Sequence, residues 1–294
     1  MILVTGATGT VGRALLPKLL ERDEDVRVLV RDPRRLGRLR VEVRIALGDL
    51  VDFRDPRTVR HALRGVSTVI HLAAAIRDQP AANVEELNGL ATARLLRAAE
   101  SAGLGRFVFF SAIGATEIQR TRFFRAKALA ERAVRESELQ TTVFAPSIVY
   151  APNDPWVTIQ RRLALLPAIP VSGAGDAEYE PIWADDVARC VVADLDGGPG
   201  SRRHELAGPE RLTYDEIALL IARASGRERP LVHVPLGIVQ LGLAALQRLA
   251  GDAAFATWEE AELMEVPMVS ERGPDEARSL GVDPRRMTEV LGGG

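Results

Sequence analysis

The chain has 294 residues, 47% of them hydrophobic and 27% charged, with a formal net charge of −2. That is an ordinary globular profile, large enough for one domain plus a smaller cap. It gives no bulk electrostatic reason to bind nucleic acid or an anionic membrane. The single cysteine, Cys190, excludes an internal disulfide and fits a reducing, cytoplasmic compartment.

One count is more informative. Of the 38 basic residues two are lysine, Lys18 and Lys127, and the other 36 are arginine (38 − 2). A basic position filled without chemical preference would read Arg in this chain, so each lysine calls for a reason.

Met1 leads straight into Ile2-Leu3-Val4-Thr5 without a basic leader, and no targeting peptide is expected. Short runs rich in Val, Ile or Phe predict strands over 1–5, 26–30, 41–46, 68–73, 107–111 and 142–148. Helical patterns cover 12–22, 56–63, 85–102 and 124–136. This alternation predicts an α/β architecture, a doubly wound parallel sheet with helices on both faces.

After Tyr150 the rhythm breaks at Ala151-Pro152-Asn153-Asp154-Pro155. The expected division is a nucleotide-binding domain over 1–150, with 182–207 returning to it. A small, mostly helical cap takes 151–181 and 208–294. The return consists of a helix at 185–189 and a strand at 204–207. Thr213 with Glu216 three residues on reads as a capping box. The apolar stretch 231–250 is broken by His233, Pro235, Gln240, Gln247 and Arg248, too often for a membrane span, and reads as a buried cap helix.

Thr5-Gly6-Ala7-Thr8-Gly9-Thr10-Val11-Gly12 follows the first strand and opens the first helix. Glycines at this spacing let the turn come close to a pyrophosphate, and the helix start offers free N–H groups to the anion. No Lys-Ser/Thr follows Gly12, which argues against a kinase-type phosphate loop. The end of the second strand selects between the two nicotinamide dinucleotides. Here it reads Arg31-Asp32, with Arg34 and Arg35 close behind. Arg31, helped by Arg13, is expected to take a 2′-phosphate, which favours NADP(H) over NAD(H). Asp32 keeps NAD(H) as the alternative. Asp49, followed by Leu50 at the end of the third strand, is expected beside the adenine.

With these motifs the chain resembles the short-chain dehydrogenase/reductase superfamily in its extended or atypical branch. It looks most like the NmrA-like and complex I 39-kDa-subunit-like proteins, over nearly its whole length. Thr5–Gly12 resembles the family's glycine turn, and Val30-Arg31-Asp32-Pro33 its second-strand element. Val69-Ile70-His71-Leu72-Ala73-Ala74 resembles the strand lining the cofactor. Asn88 falls at the family's helical asparagine, and Ser111 after Phe107-Val108-Phe109-Phe110 at its catalytic serine. Pro146 falls at the proline near the nicotinamide amide, and Pro181–Ala188 at the element returning from the cap. The resemblance implies a Rossmann-type fold, with Leu72, Ala73, Ala74, Asn88, Lys127 and Pro146 around the cofactor.

The same resemblance implies a Tyr-x-x-x-Lys pair, and here the chain departs from it. The pentapeptide reads Phe123-Phe124-Arg125-Ala126-Lys127, and all three tyrosines, Tyr150, Tyr179 and Tyr214, come later. Lysine survives where the chain otherwise writes arginine, consistent with an ammonium held for the cofactor ribose. The phenol that would give a proton to a carbonyl oxygen is missing.

Two functions remain open. One is an NADP(H)-dependent reductase of a hydrophobic or aromatic ketone or quinone, with Ser111 orienting the carbonyl. Its proton would come from water, Tyr179 or the substrate itself, and Phe124, Trp156, Tyr179, Trp183 and Trp258 would form an apolar substrate pocket. The other is a non-catalytic NADP(H)-binding sensor or assembly protein that works through a protein partner. No metal site is expected.

Overall fold

The structure, a computed structural model, describes residues 1–52, 56–198, 200–240 and 258–292. In chain order the first half runs β1 (Ile2–Thr5), α1 (Thr10–Leu20), β2 (Val26–Val30), β3 (Arg44–Leu47), α2 (Pro56–Ala62), β4 (Thr68–His71), α3 (Ala91–Ser101), β5 (Arg106–Phe110), α4 (Arg122–Arg135) and β6 (Gln140–Pro146). The second half runs β7 (Val149–Tyr150), α5 (Pro155–Leu163), β8 (Ile169–Ser172), β9 (Glu178–Tyr179), β10 (Ile182–Trp183), α6 (Ala184–Leu195), β11 (Arg202–Leu206), β12 (Leu212–Thr213), α7 (Tyr214–Ala224) and β13 (Leu231–Val234). Short helices follow at Trp258–Leu263, Asp275–Ser279 and Met287–Gly292.

Seven parallel strands form one sheet in the order β11-β6-β5-β4-β1-β2-β3. Ile2 is in register with both Val26 on β2 and Thr68 on β4. The chain winds outward from β1 in both directions, so the crevice between the carboxyl ends of β1 and β4 is the switch point where such sheets bind ligands.

Side-chain alternation along the strands splits the core into two layers. Ile2 and Val4 face Leu15, Leu16 and Leu19 of α1 and Val187 and Val191 of α6. Leu3, Phe107 and Phe109 face α2, α3 and α4 through Ala62, Leu95, Leu96, Ala130 and Val134. Lys18, which has no evident partner in sequence, pairs with Asp185 at 2.7 Å and ties α1 to α6. A third cluster joins Phe124, Tyr150, Val157, Tyr179, Tyr214, Ile217 and Met268 beyond the end of the sheet. The Thr213–Glu216 capping box forms as expected, with each side chain bonding the other's backbone N–H.

Three expectations need correction. The third strand begins at Arg44, not Val41, because Pro33–Val41 forms 3₁₀ turns kinked at Gly37 and capped by Asp32. The helix expected over 85–102 opens with a π-helical turn, Glu86–Leu90, in which Asn88 turns its amide to the carbonyls of Val84 and Ala75. The stretch 231–250 begins as a strand rather than a helix, since Leu231–Val234 pairs in parallel with β8. Residues 241–250 lie outside the described set. Among the described residues no helix is long and apolar enough to cross a membrane.

Candidate dinucleotide-binding site

Two glycines fix the first turn. Gly6 has φ +70°, and a Cβ on it would stand 2.5 Å from the Ala73 nitrogen. A Cβ on Gly12 would stand 2.6 Å from Ala7 Cα. Only glycine lets β1, the turn and the residues after β4 come this close. Gly9 caps α1 without a side-chain hydrogen bond, which leaves the helix start open to an anion.

The turn forms one wall of a cleft of about 750 Å³ at the carboxyl ends of β1, β2 and β4. Of the residues expected at the cofactor, the cleft brings together Gly6, Thr8, Gly9, Thr10, Arg31, Asp49, Leu50, Leu72, Ala73 and Ala74. It also recruits Arg35, Ala75, Ile76, Gln79, Leu87 and Pro155. Arg35 was visible in the arginine run, and Ala75 and Ile76 simply extend the strand motif. Nothing in the sequence points to Leu87 or Pro155, which arrive from distant elements.

Val11, Gly12, Arg13, Asn88, Ser111, Lys127 and Pro146 do not line this cleft. Arg13 lies behind the turn, donating to the Thr8 carbonyl at 3.0 Å and to the Arg35 carbonyl at 3.5 Å. Asp32 accepts from the Arg34 N–H as a helix cap, and Asp49 accepts from the Val51 N–H. Pro146 ends β6 buried, its carbonyl accepting from the Ile113 N–H at 3.0 Å.

Beneath the cleft runs a buried polar chain. Thr92 Oγ1 donates to the Asn88 carbonyl at 2.6 Å and has no second proton to give. His71 Nε2, 2.9 Å from that hydroxyl, must therefore donate to it. Nδ1 is then the acceptor, taking the Thr5 hydroxyl proton at 2.6 Å. Burial, with a smaller push from the Lys127 charge, lowers the His71 pKa to about 3, so the ring stays neutral. At the far end Asn88 bonds both the N–H and the carbonyl of Ala75. The chain thus fastens the end of β1 to the loop that walls the cleft.

Ser111, Phe123 and Lys127 converge at the end of β5. Lys127 is 2% exposed, and its ammonium donates to the Phe110 carbonyl at 2.7 Å. It stands 5.0 Å from the Phe109 ring centroid and 5.9 Å from that of Phe123, within cation–π range. Burial lowers its pKa to about 7. Ser111 Oγ, next along the chain from Phe110, is buried with no hydrogen-bond partner among the described residues.

The aromatic residues expected at the substrate belong to the third cluster rather than to the cleft. Phe124 and Tyr179 are inside it, with Trp156 and Trp183 packed against it. The Tyr179 hydroxyl is committed to the Met264 carbonyl. Trp183 lies under the Arg285 guanidinium, 4.9 Å away. The Trp258 side chain lies outside the described set. Among the described residues no group of side chains is arranged to hold a metal ion.

A parallel sheet with a glycine cradle at its switch point defines a dinucleotide-binding protein of the Rossmann type. Residues 6–196 match the family described as NAD(P)H-binding, and the chain belongs to it. Subunit 9 of the NADH dehydrogenase [ubiquinone] 1 alpha subcomplex from Arabidopsis thaliana is 30% identical, over 73% of this chain and 55% of that protein. The (4-alkanoyl-5-oxo-2,5-dihydrofuran-3-yl)methyl phosphate reductase of Streptomyces griseus is also 30% identical, over 89% of this chain and 86% of its own length. In fold, the Thermus thermophilus UDP-glucose 4-epimerase in complex with NAD matches with a TM-score of 0.73 at 20% identity, over 99% of this chain and 96% of that one.

Proposed function

We propose that the chain is an NADP(H)-dependent reductase of a hydrophobic or aromatic ketone or quinone, built from a domain over 1–150 and 182–207 and a cap. The observation that carries this reading is Ser111 Oγ, a buried hydroxyl without a partner among the described residues, at the end of β5. Such a group is costly to leave unpaired, and a substrate carbonyl oxygen would satisfy it. The relatives named as reductases, among them an NAD(P)H azoreductase of Xenophilus azovorans, support oxidoreductase chemistry.

The cradle that a Cβ at Gly6 would fill and the open start of α1 fit a pyrophosphate. Arg31 and Arg35, with Arg13 behind them, would take the 2′-phosphate, and Asp49 and Leu50 the adenine side. Leu72, Ala73 and Ala74 would wall the nicotinamide side, with Lys127 at the ribose and Pro146 near the amide. When bound, the dinucleotide supplies a hydride. Ser111 orients the carbonyl, and Trp156 and Trp183 offer apolar surface to the rest of the substrate. Loss of the phenol favours substrates whose reduced oxygen is stabilised internally, as in quinones and ketones beside their own phenols.

A second reading is a non-catalytic NADP(H)-binding protein, favoured by Phe123 at the tyrosine position and by the relative named as an NADH dehydrogenase subcomplex subunit. Oxidation of NADPH against a panel of aromatic ketones and quinones separates the two. Turnover is expected, and Phe123→Tyr is expected to extend it to simple ketones, by roughly 10²-fold or more. Firm NADPH binding with no turnover of any panel member would overturn the reductase reading in favour of the sensor.

A further inference from the structure

A second cleft, of about 840 Å³, lies between α2 and α3 and is bordered by the loop that follows β3. That volume is within the range of small-molecule sites, roughly 300–1,000 Å³. Its rim is basic. Arg60 and Arg64 stand on it from α2 and the turn after α2, Arg94 and Arg97 from α3, and all four are exposed. The carboxylate among its described lining residues is Asp52. Residues 53–55, outside the described set, include Arg54 and Asp55, one charge of each sign. Positive charge is therefore concentrated here in a chain whose net charge is −2. Arg27 adds to it, donating at 2.7 Å to the carbonyls of Ala62 and Arg64 at the end of α2. Arg60 and Arg64 are four residues apart and Arg94 and Arg97 three, spacings at which like charges repel. The side chains of Arg60, Arg64 and Arg97 make no ion pair among the described residues. An anion in the cleft would relieve that repulsion.

Beneath the rim the floor is apolar. Val59 and Leu63 from the α2 side meet Leu95 and Ala98 from α3, and none of the four is exposed. Apolar surface recessed below charged side chains suits an aliphatic chain that enters the groove, with its acidic head left among the guanidiniums. The groove also shares a wall with the dinucleotide cleft. Leu50, Val51, Ala82, Leu87 and Ala91 pack together as a small cluster. Leu87 faces the dinucleotide cleft, Ala91 faces the groove, and Leu50 lines both. The loop that carries Asp49 to the adenine side carries Asp52 to the groove. It is pressed against α2 as well, since a Cβ on Gly48 would stand 2.1 Å from Thr58 Cγ2.

We propose that this groove binds a single-chain amphipathic anion, a phosphate or carboxylate head on an aliphatic chain, and that its occupancy changes the dinucleotide affinity of the neighbouring cleft. The guanidiniums hold the head, the floor takes the chain, and the shared wall with the loop after β3 transmits the change. Neither part depends on whether the protein turns over a ketone.

Calorimetric titration of the full chain with dodecyl phosphate, kept below its micelle concentration, tests this and is expected to show one site. Inorganic phosphate is expected to bind roughly 10-fold more weakly or worse, because burial of the chain supplies much of the affinity. Arg64→Gln combined with Arg97→Gln, one exposed change on each wall, is expected to weaken dodecyl phosphate roughly 10-fold or more. NADPH binding without the amphiphile is expected to be unchanged in that variant. Saturating dodecyl phosphate is expected to shift the NADPH affinity of the wild type by roughly 5-fold or more and then to plateau, and NADPH to shift dodecyl phosphate by the same factor. Competition with NADPH that never reaches a plateau would put the amphiphile in the dinucleotide cleft and overturn the site, as would full affinity in the double variant. Equal affinity for inorganic phosphate would overturn the role of the floor. Tighter binding to phosphatidic acid vesicles than to dodecyl phosphate, lost in the double variant, would overturn the single-chain ligand in favour of a membrane surface. An NADPH affinity indifferent to bound dodecyl phosphate would overturn the coupling.

Discussion

Arg31 Nη1 and Asp49 Oδ2 stand 3.6 Å apart on the rim of the cleft, one after β2 and the other after β3. Arg31 is 57% exposed, so the pair itself contributes little to stability. A phosphate arriving at Arg31 would replace Asp49 at small cost. Arg31→Ala is expected to weaken NADPH binding roughly 10–100-fold, the worth of a charge-assisted hydrogen bond, and to leave NADH nearly unchanged. Asp49→Asn is expected to preserve or improve NADPH binding. Titration calorimetry with both dinucleotides measures this, and equal affinities in the wild type would refute the role given to Arg31.

Thr92 tests the buried chain beneath the cleft. Thr92→Val keeps the shape but leaves the His71 N–H without an acceptor. A buried donor stranded in this way costs about 1–3 kcal/mol. The melting temperature is expected to fall, and NADPH affinity with it, because the chain ends at Asn88 and the Ala75 loop of the cleft. An unchanged melting temperature would mean that the hydrogen bonds in this chain do not hold the loop.

His204 gives a pH dependence of opposite sign to that of His71. Its pKa is raised, first by the Asp194 carboxylate, 3.8 Å from Nε2, and also by Glu276, whose carboxylate stands 3.1 Å from Nδ1. A raised folded-state pKa means stabilisation that is complete below 6.5, the ordinary value, and lost as pH rises through the folded value. His71, held at about 3, instead takes stability away as pH falls below 6.5. The wild type is expected to lose stability relative to His204→Gln as pH rises above 6.5 and through the raised folded value, while the His71 effect cancels between them. Denaturant melts of both proteins across that range measure the difference, and parallel curves would contradict it.

The glycine turn and the strands around it were legible because local sequence determines them. A strand, three spaced glycines and a helix start lie within the first 20 residues, and the same residues form the cradle. Elements set by distant partners were not legible. Leu231–Val234 is apolar enough for a helix and becomes a strand only because β8 offers an open edge. Lys18 looked idle because Asp185 lies far along the chain. The aromatic residues grouped for a substrate do meet, but in a packed cluster, since composition distinguishes aromatic from polar and not core from cavity wall. Residue types in sequence did place Ser111 with Lys127. They did not show that burial would leave one hydroxyl without a partner among the described residues and pull the lysine pKa down.

The pairing of β11 with β6 also bears on how the chain is made. Strands β1 to β6 emerge from the ribosome early, but the outer edge of β6 is closed by Arg202–Leu206, after α5 and α6 have been synthesised. Until then Thr142, Val143, Phe144 and Ala145 present an unpaired backbone row, an open template for other nascent chains. Truncation before residue 202 would make that passing hazard permanent, so fragments holding the whole glycine cradle but lacking β11 should accumulate as aggregates rather than as small nucleotide-binding domains.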